Sequence, residues 1–170
     1  KPKTSAGSTN GGLVGYWTLD DDDYNFATLR VTDKTPYGNH GTNNGSTFTT
    51  DRMGKTNGSM NFDGNNDYVN VSDSSSLSAL SGLTISAWIY PTSVSGSGNI
   101  VSKWEHTSQD EFVFERSLDE IKLYIAPTLT DAGTRHIDTV SANLQVNTRY
   151  HVVGVWNSSK WEIYLNGINQ

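Results

Sequence analysis

Hydrophobic positions along this chain recur at every second residue. In WEIYL (161–165), Trp161, Ile163 and Leu165 share one face, and Glu162 and Tyr164 the other. In EFVFER (111–116), Phe112 and Phe114 oppose Glu111, Val113 and Glu115. A period of two marks half-buried β-strands. Such strand signals recur with turn signals between them. They are LVGYWTL (13–19), SMNF (59–62), DYVNV (67–71), LTISAWIYP (83–91), IVSKW (100–104), EFVFER, IKLYIA (121–126), RYHVVGVWN (149–157) and KWEIYL (160–165). RHIDTVSA (135–142) is a weaker one. Residues 20–58 carry DDDD, TPYGNHG, NNGS and NG, and are expected to be loop with short strands. Asn157-Ser158-Ser159 is expected to join the last two long strands as a hairpin. No helical period lasts beyond about two turns; SSLSALSG (75–82) is expected to form one short turn. The pattern predicts an all-β fold, a two-sheet antiparallel β-sandwich or jelly roll.

FDGNNDYVNV (62–71) reads as strand, turn, strand. Gly64, Asn65 and Asn66 permit the φ > 0 conformations of a tight connection. Asp63 and Asp67 are expected to bond nearby amides and shape the turn, with no chemistry of their own.

Composition narrows the class. A length of 170 residues suits one domain, read here as residues 13–170 after a polar tail at 1–12. The tail, KPKTSAGSTNGG, has no apolar stretch of the signal-peptide kind, as in a mature chain. The net charge of -6 disfavours non-specific nucleic-acid binding and anionic membranes. No apolar run approaches the ~18 residues of a membrane span. Without cysteine, neither disulfides nor thiolate metal sites are possible. The turn-rich, aromatic composition is that of an extracellular or cell-surface binding domain.

Catalytic patterns are missing. Glu111 and Glu115 share a strand face, but i and i+4 lie about 13 Å apart. Retaining glycosidases hold their two carboxylates about 5 Å apart. Val113 stands where a partner acid would belong. No nucleophile elbow, zinc helix or phosphate loop appears. His40, His106, His136 and His151 lie on separate elements, and His151 reads as a structural strand-end residue. Trp17, Trp88 and Trp161 are expected in the core, and WNSSKW brings Trp156 and Trp161 near one turn. Trp104, ending a strand beside EHTSQD, is the candidate ligand-stacking platform. Glycosylation sequons occur at Asn44, Asn57, Asn70 and Asn157, about the number expected by chance in this composition.

Six stretches together resemble the laminin-G-like, concanavalin A-like jelly-roll family: GLVGYWTLD (12–20), DKTPYGNHGT (33–42), SMNFDGNNDYVNV (59–71), LTISAWIYP, RYHVVGVWN and WEIYLNG (161–167). The resemblance implies a non-catalytic extracellular recognition or adhesion domain for a glycan or protein. It implies a structural Ca²⁺ near Asp20, Asp33 and Asn39, although the family's usual C-terminal acid is missing here. In the family, further strands follow the one matching WEIYLNG, whereas this chain stops at Gln170. The expected sandwich therefore lacks its last strands. Either a longer natural chain or a partner strand would complete it, with the N-terminal tail and LVGYWTL as candidate donor in strand exchange. The alternatives are a filament or pilus subunit built that way, and a jelly-roll glycoside hydrolase.

Overall fold

A computed structural model of the chain describes residues 12–78, 82–103, 112–125, 136–157 and 160–170; the side chains of 136–140 lie outside the described set. Almost all regular structure in it is strand, as the alternating pattern requires. One domain is expected from residue 13, but the chain divides after Leu77 into two compact units.

The first unit is built of short strands. They are β1 (Tyr24–Asn25), β2 (Arg30–Val31), β3 (Gly41–Asn44), β4 (Thr47–Thr49), β5 (Ser59–Asn61) and β6 (Tyr68–Val71). One antiparallel sheet has the order β1-β2-β3-β6, and β4 and β5 form a separate two-stranded ladder. The stretch FDGNNDYVNV is therefore not a hairpin: β5 pairs with β4, and β6 pairs with β3. Its turn re-aims the chain from one sheet to the other. Asp67 Oδ2 accepts the Asp63 N–H at 3.0 Å, and both Asp63 carboxylate oxygens hold Asn65, at 2.8 and 3.0 Å. Gly64 has φ +80 there. The two aspartates shape the turn, as expected.

LVGYWTL is a second departure, since it joins no strand ladder. Polar groups of residues 33–39 take its backbone and ring donors instead. Tyr16 donates its N–H to Asp33 Oδ1 at 2.9 Å and accepts from the Lys34 N–H at 2.9 Å. Trp17 Nε1 donates to the Asn39 carbonyl at 2.8 Å.

The second unit holds the long strands. These are β7 (Gly82–Ile89), β8 (Ser97–Lys103), β9 (Phe112–Ser117), β10 (Glu120–Ile125), β11 (His136–Ser141), β12 (Tyr150–Asn157), β13 (Lys160–Leu165) and β14 (Ile168–Asn169). Two four-stranded antiparallel sheets result, β14-β13-β12-β7 and β11-β10-β9-β8. β12 and β13 pair directly, as the hairpin reading requires. Asn166 (φ +52) and Gly167 (φ +82) turn the chain back into β14, because both central residues of such a turn need φ > 0. The two sheets enclose one apolar core: Ile85, Val152, Trp156 and Ile163 from one, and Phe112, Phe114, Ile121, Leu123 and Ile125 from the other.

Two sequence expectations fail here, one by the phase of a strand and one by burial of three successive residues. On β7, Ile85, Ala87 and Ile89 face the core, so Trp88 points away from it and is 54% exposed. On β9, Val113 is buried along with Phe112 and Phe114. That strand lies between β8 and β10, and the solvated face expected for Glu111, Val113 and Glu115 is not there at Val113.

Gly154 lies on β12 under the opposite sheet. A Cβ at this position would come within 3.0 Å of Phe114 Cε2 and 3.2 Å of Leu123 Cδ2. Gly154→Val should therefore destabilise the protein by about 1–3 kcal/mol through overpacking. Urea unfolding of the variant against the parent measures the loss.

Candidate binding face

Asp33 is the polar centre of the first unit. It is 4% exposed, and four donors converge on its carboxylate. Oδ1 accepts the N–H groups of Tyr16 and Thr35, each at 2.9 Å. Oδ2 accepts the Thr35 hydroxyl at 2.7 Å and the Asn39 N–H at 2.8 Å. Burial pushes its pKa up, but the donors of Thr35, Tyr16 and Asn39 outweigh that, and the net shift is downward. Asn39, also buried, spends its side-chain amide on the Val14 carbonyl at 2.7 Å and the Ser76 hydroxyl at 2.9 Å. Asp33 and Asn39 thus meet through a hydrogen bond that closes the 33–39 loop.

Asp20 stands in a different arrangement. It caps a single 3-10 turn, Asp21–Asp23, by accepting the Asp23 N–H at 3.2 Å. The Lys55 ammonium lies 3.5 Å from Asp20, 3.4 Å from Asp21 and 2.8 Å from Asp22. Asp22 above all, with Asp20 and Asp21, holds the Lys55 pKa above the usual lysine range. Lys34 pairs with Asp23 at 2.5 Å. A run of four acids would repel itself; two ammonium groups offset half of its charge. Among the described residues, no three His, Asp or Glu side chains gather as a metal shell. The four donors on Asp33 also leave its carboxylate no open acceptor position for Ca²⁺.

The remaining sequence candidates scatter. Trp104, Glu111 and His106 lie outside the described residues. Glu115 accepts from the Tyr124 hydroxyl at 3.2 Å. Of the sequon asparagines, Asn44 bonds the Thr42 carbonyl at 3.0 Å and Asn57 bonds Asp21 at 3.1 Å. Asn70 and Asn157 are exposed on strands. A glycan on Asn57 would cost the contact that ties its loop to the acidic turn.

The arrangement that could hold a ligand is on the second unit, on the face of the β14-β13-β12-β7 sheet turned away from its core. The register of β7 against β12 places His151 opposite Trp88 and Val153 opposite Ser86. On β13, Tyr164 stands opposite Val153 and Glu162 opposite Val155. Tyr90 follows β7 and is 48% exposed. The Arg149 guanidinium carbon sits 5.0 Å from the centre of the Tyr90 ring, within reach of a cation–π contact. The Trp88 and His151 rings are 5.0 Å apart and tilted by 30°. His151 Nε2 and Ser86 Oγ are 2.8 Å apart. At the far end, Glu162 accepts from Lys160 at 2.8 Å and Asn169 at 3.0 Å. Lys160 leads the groups that hold the Glu162 carboxyl below the usual range.

This face was legible only in part. Trp88, Tyr90, Arg149 and His151 all stand in the sequence motifs, but their meeting depends on strand register. The signal that could have found them was the phase of LTISAWI, whose isoleucines and alanine claim the core side.

The chain matches the concanavalin A-like lectin/glucanases superfamily, in its laminin-G-like family, over residues 63–170. That is more than half of its length, and the chain belongs to this family. It is a lectin-like binding domain by class. Comparison with curated proteins and with solved structures finds no match.

Asp33 makes a pH prediction. Its depressed pKa means that its contribution to stability is present above its unfolded value of 3.8. That contribution is lost as pH falls through the still lower folded value. Asp33→Asn should cost about 2–3 kcal/mol at neutral pH, by loss of charge-assisted hydrogen bonds. It should also flatten the decline below about pH 4. Urea unfolding across the acid range checks both.

Proposed function

We propose that this chain is a non-catalytic recognition or adhesion domain working outside the cell, with a glycan or a protein surface as ligand. The observation that carries the reading is the outer face of the β14-β13-β12-β7 sheet in a lectin-like fold. Trp88 and Tyr90 offer aromatic surface at 54% and 48% exposure. Groups that can hydrogen-bond, Ser86, His151 and Arg149, stand beside them. Aromatic rings supply contact area at low entropic cost, and adjacent polar groups set orientation. The strands hold these side chains in place, so little order has to be created on binding. Among the described residues no helix is long and apolar enough to cross a membrane.

The carboxylates support a non-catalytic role. A glycosidase needs one acid with a raised pKa beside a second at defined separation. Glu162 is shifted the other way by Lys160. Glu115 hydrogen-bonds Tyr124.

The test is a glycan array and pull-down with the parent chain and Trp88→Ala. The parent should bind at least one glycan or surface protein, and the variant should bind it about fivefold or more weakly. A stacking aromatic at a sugar or nucleobase site is worth at least ~1 kcal/mol. Binding unchanged by the substitution would remove this face from the reading.

Calcium belongs to the proposal through the family resemblance alone. With Asp33 closed by its own donors, the remaining acids near the expected site are Asp20–Asp23. An ion there would have to displace the Lys55 ammonium. Thermal melting in Ca²⁺ and in chelator decides the matter. A higher melting temperature in Ca²⁺ supports the ion, and identical curves remove it.

A further inference from the structure

Lys55 reaches the acidic turn of the first unit from a tightly held loop, residues 51–58. Asp51 Oδ1 accepts the N–H groups of Met53 and Lys55, each at 2.8 Å. The Lys55 carbonyl accepts the N–H groups of Asp51 at 3.0 Å and Gly58 at 3.2 Å. Both backbone polar groups of Lys55 are therefore bonded, and its side chain leaves from a fixed point. Asn57 ties the same loop to the turn. Its carbonyl accepts the Asp21 N–H at 3.1 Å, and its amide donates to Asp21 Oδ2 at 3.1 Å.

An ammonium carries three N–H groups, and three carboxylates face this one. Asp20 Oδ2, Asp21 Oδ1 and Asp22 Oδ2 lie 3.5, 3.4 and 2.8 Å from the Lys55 nitrogen. Asp22 above all keeps it charged. An isolated surface pair contributes little, but a network of several charges contributes more. The distances are those of an ammonium and exceed the about 2.3–2.6 Å of a Ca²⁺–oxygen bond. Other oxygens of the turn already have protein partners. Asp20 Oδ1 accepts the Asp23 N–H at 3.2 Å, and the Thr18 hydroxyl lies 3.1 Å from it and 2.9 Å from Asp23 Oδ2. Asp23 Oδ1 takes Lys34. The expected calcium residues thus suit an organic cation of the chain itself better than a metal.

We propose that the Lys55 ammonium is the resident cation of the acidic turn, standing beside Asp20 where the family resemblance implies Ca²⁺, and that the first unit holds its fold without a divalent metal. A tethered cation keeps its local concentration when the solution is depleted of metal. The domain would then stay folded at calcium levels that would empty a metal site. This inference is independent of what the outer sheet face binds.

The experiment uses the full chain, with Ca²⁺ alone as the probe, and reads thermal melting. The parent should melt at the same temperature in chelator and in millimolar Ca²⁺, the range in which extracellular calcium modules bind. Lys55→Gln should melt about 2–4 °C lower in chelator. Ca²⁺ should restore part of that loss, because an outside cation can replace the missing one and the glutamine carbonyl adds an oxygen. Lys55→Arg, which keeps the charge, should melt close to the parent and ignore Ca²⁺. Lys160→Gln, which removes an ammonium from the second unit, should gain no response to Ca²⁺. A parent stabilised by Ca²⁺ overturns the proposal, and this arm needs no variant to fold. Lys55→Gln melting like the parent in chelator overturns it as well. A loss in Lys55→Gln that Ca²⁺ leaves untouched reduces the contact to an ordinary ion pair and overturns the stand-in role. Equal losses in Lys55→Gln and Lys55→Arg assign the effect to packing and do the same. None of these outcomes alters the glycan-array test of the recognition reading.

Discussion

The second unit depends on one close approach, the passage of the β12 backbone under Phe114 and Leu123 at Gly154. With no Cβ at that point, the aromatic ring and the leucine of the opposite sheet fill the space a side chain would take. The contact also sets the phase of β12. If Gly154 faces the core, Val152 and Trp156 must face it too, because side chains alternate along a strand. His151, Val153 and Val155 then face outward, and Arg149 continues that row. Register with β7 carries Trp88 and Ser86 to the same outer surface. The candidate binding face is thus the reverse side of the core, and a slip of one residue would exchange the two.

The first unit is held by different physics. Its strands are short, and its buried set includes Asp33, Thr35, Asn39, Asn43 and Ser46 alongside Val31 and Met60. Buried polar groups are costly unless paired. Here the pairing is dense: Asp33 gathers four donors, Asn43 donates to the Ser46 carbonyl, and the Ser46 hydroxyl bonds Asn43 in return. Directional bonds replace apolar area as the source of a defined conformation. The four aspartates at 20–23 obey the same rule at the surface, with Lys34 and Lys55 as their counter-ions.

Local pattern made the long strands readable. β7, β10, β12 and β13 stand where the period of two put them, since each buries one face and its alternation records that burial; β9 stands in place too, though three successive residues of it are buried. The short strands β1 to β4 were harder, because two to four residues hold too little periodicity to separate strand from turn. LVGYWTL shows the opposite failure. Its residues favour a strand, yet Asp33 and Asn39, far along the chain, take its polar groups first. Trp88 was misplaced because large aromatic area argues for burial, while the neighbouring Ile85, Ala87 and Ile89 had already claimed the inner side. The surroundings of the expected metal residues follow from contacts that no spacing shows. Asp33 met four protein donors, and Asp20 met Lys55, thirty-five positions away.

Sequence alone determined the class of this protein. Alternation and turn residues specify an antiparallel sandwich, because each strand's burial is written into its own residues, and six ordered motifs carry the resemblance to the laminin-G-like family. It also determined the charge balance, the lack of cysteine and the lack of a glucanase-type run of alternating acids in EFVFER. The tertiary structure decided where chemistry can happen. Which strands pair, and in what register, sets which side chains from distant stretches share a face. The row of Tyr90, Arg149, Trp88, His151 and Ser86 exists only because β7 lies against β12, a relation between residues some sixty positions apart that no local signal encodes.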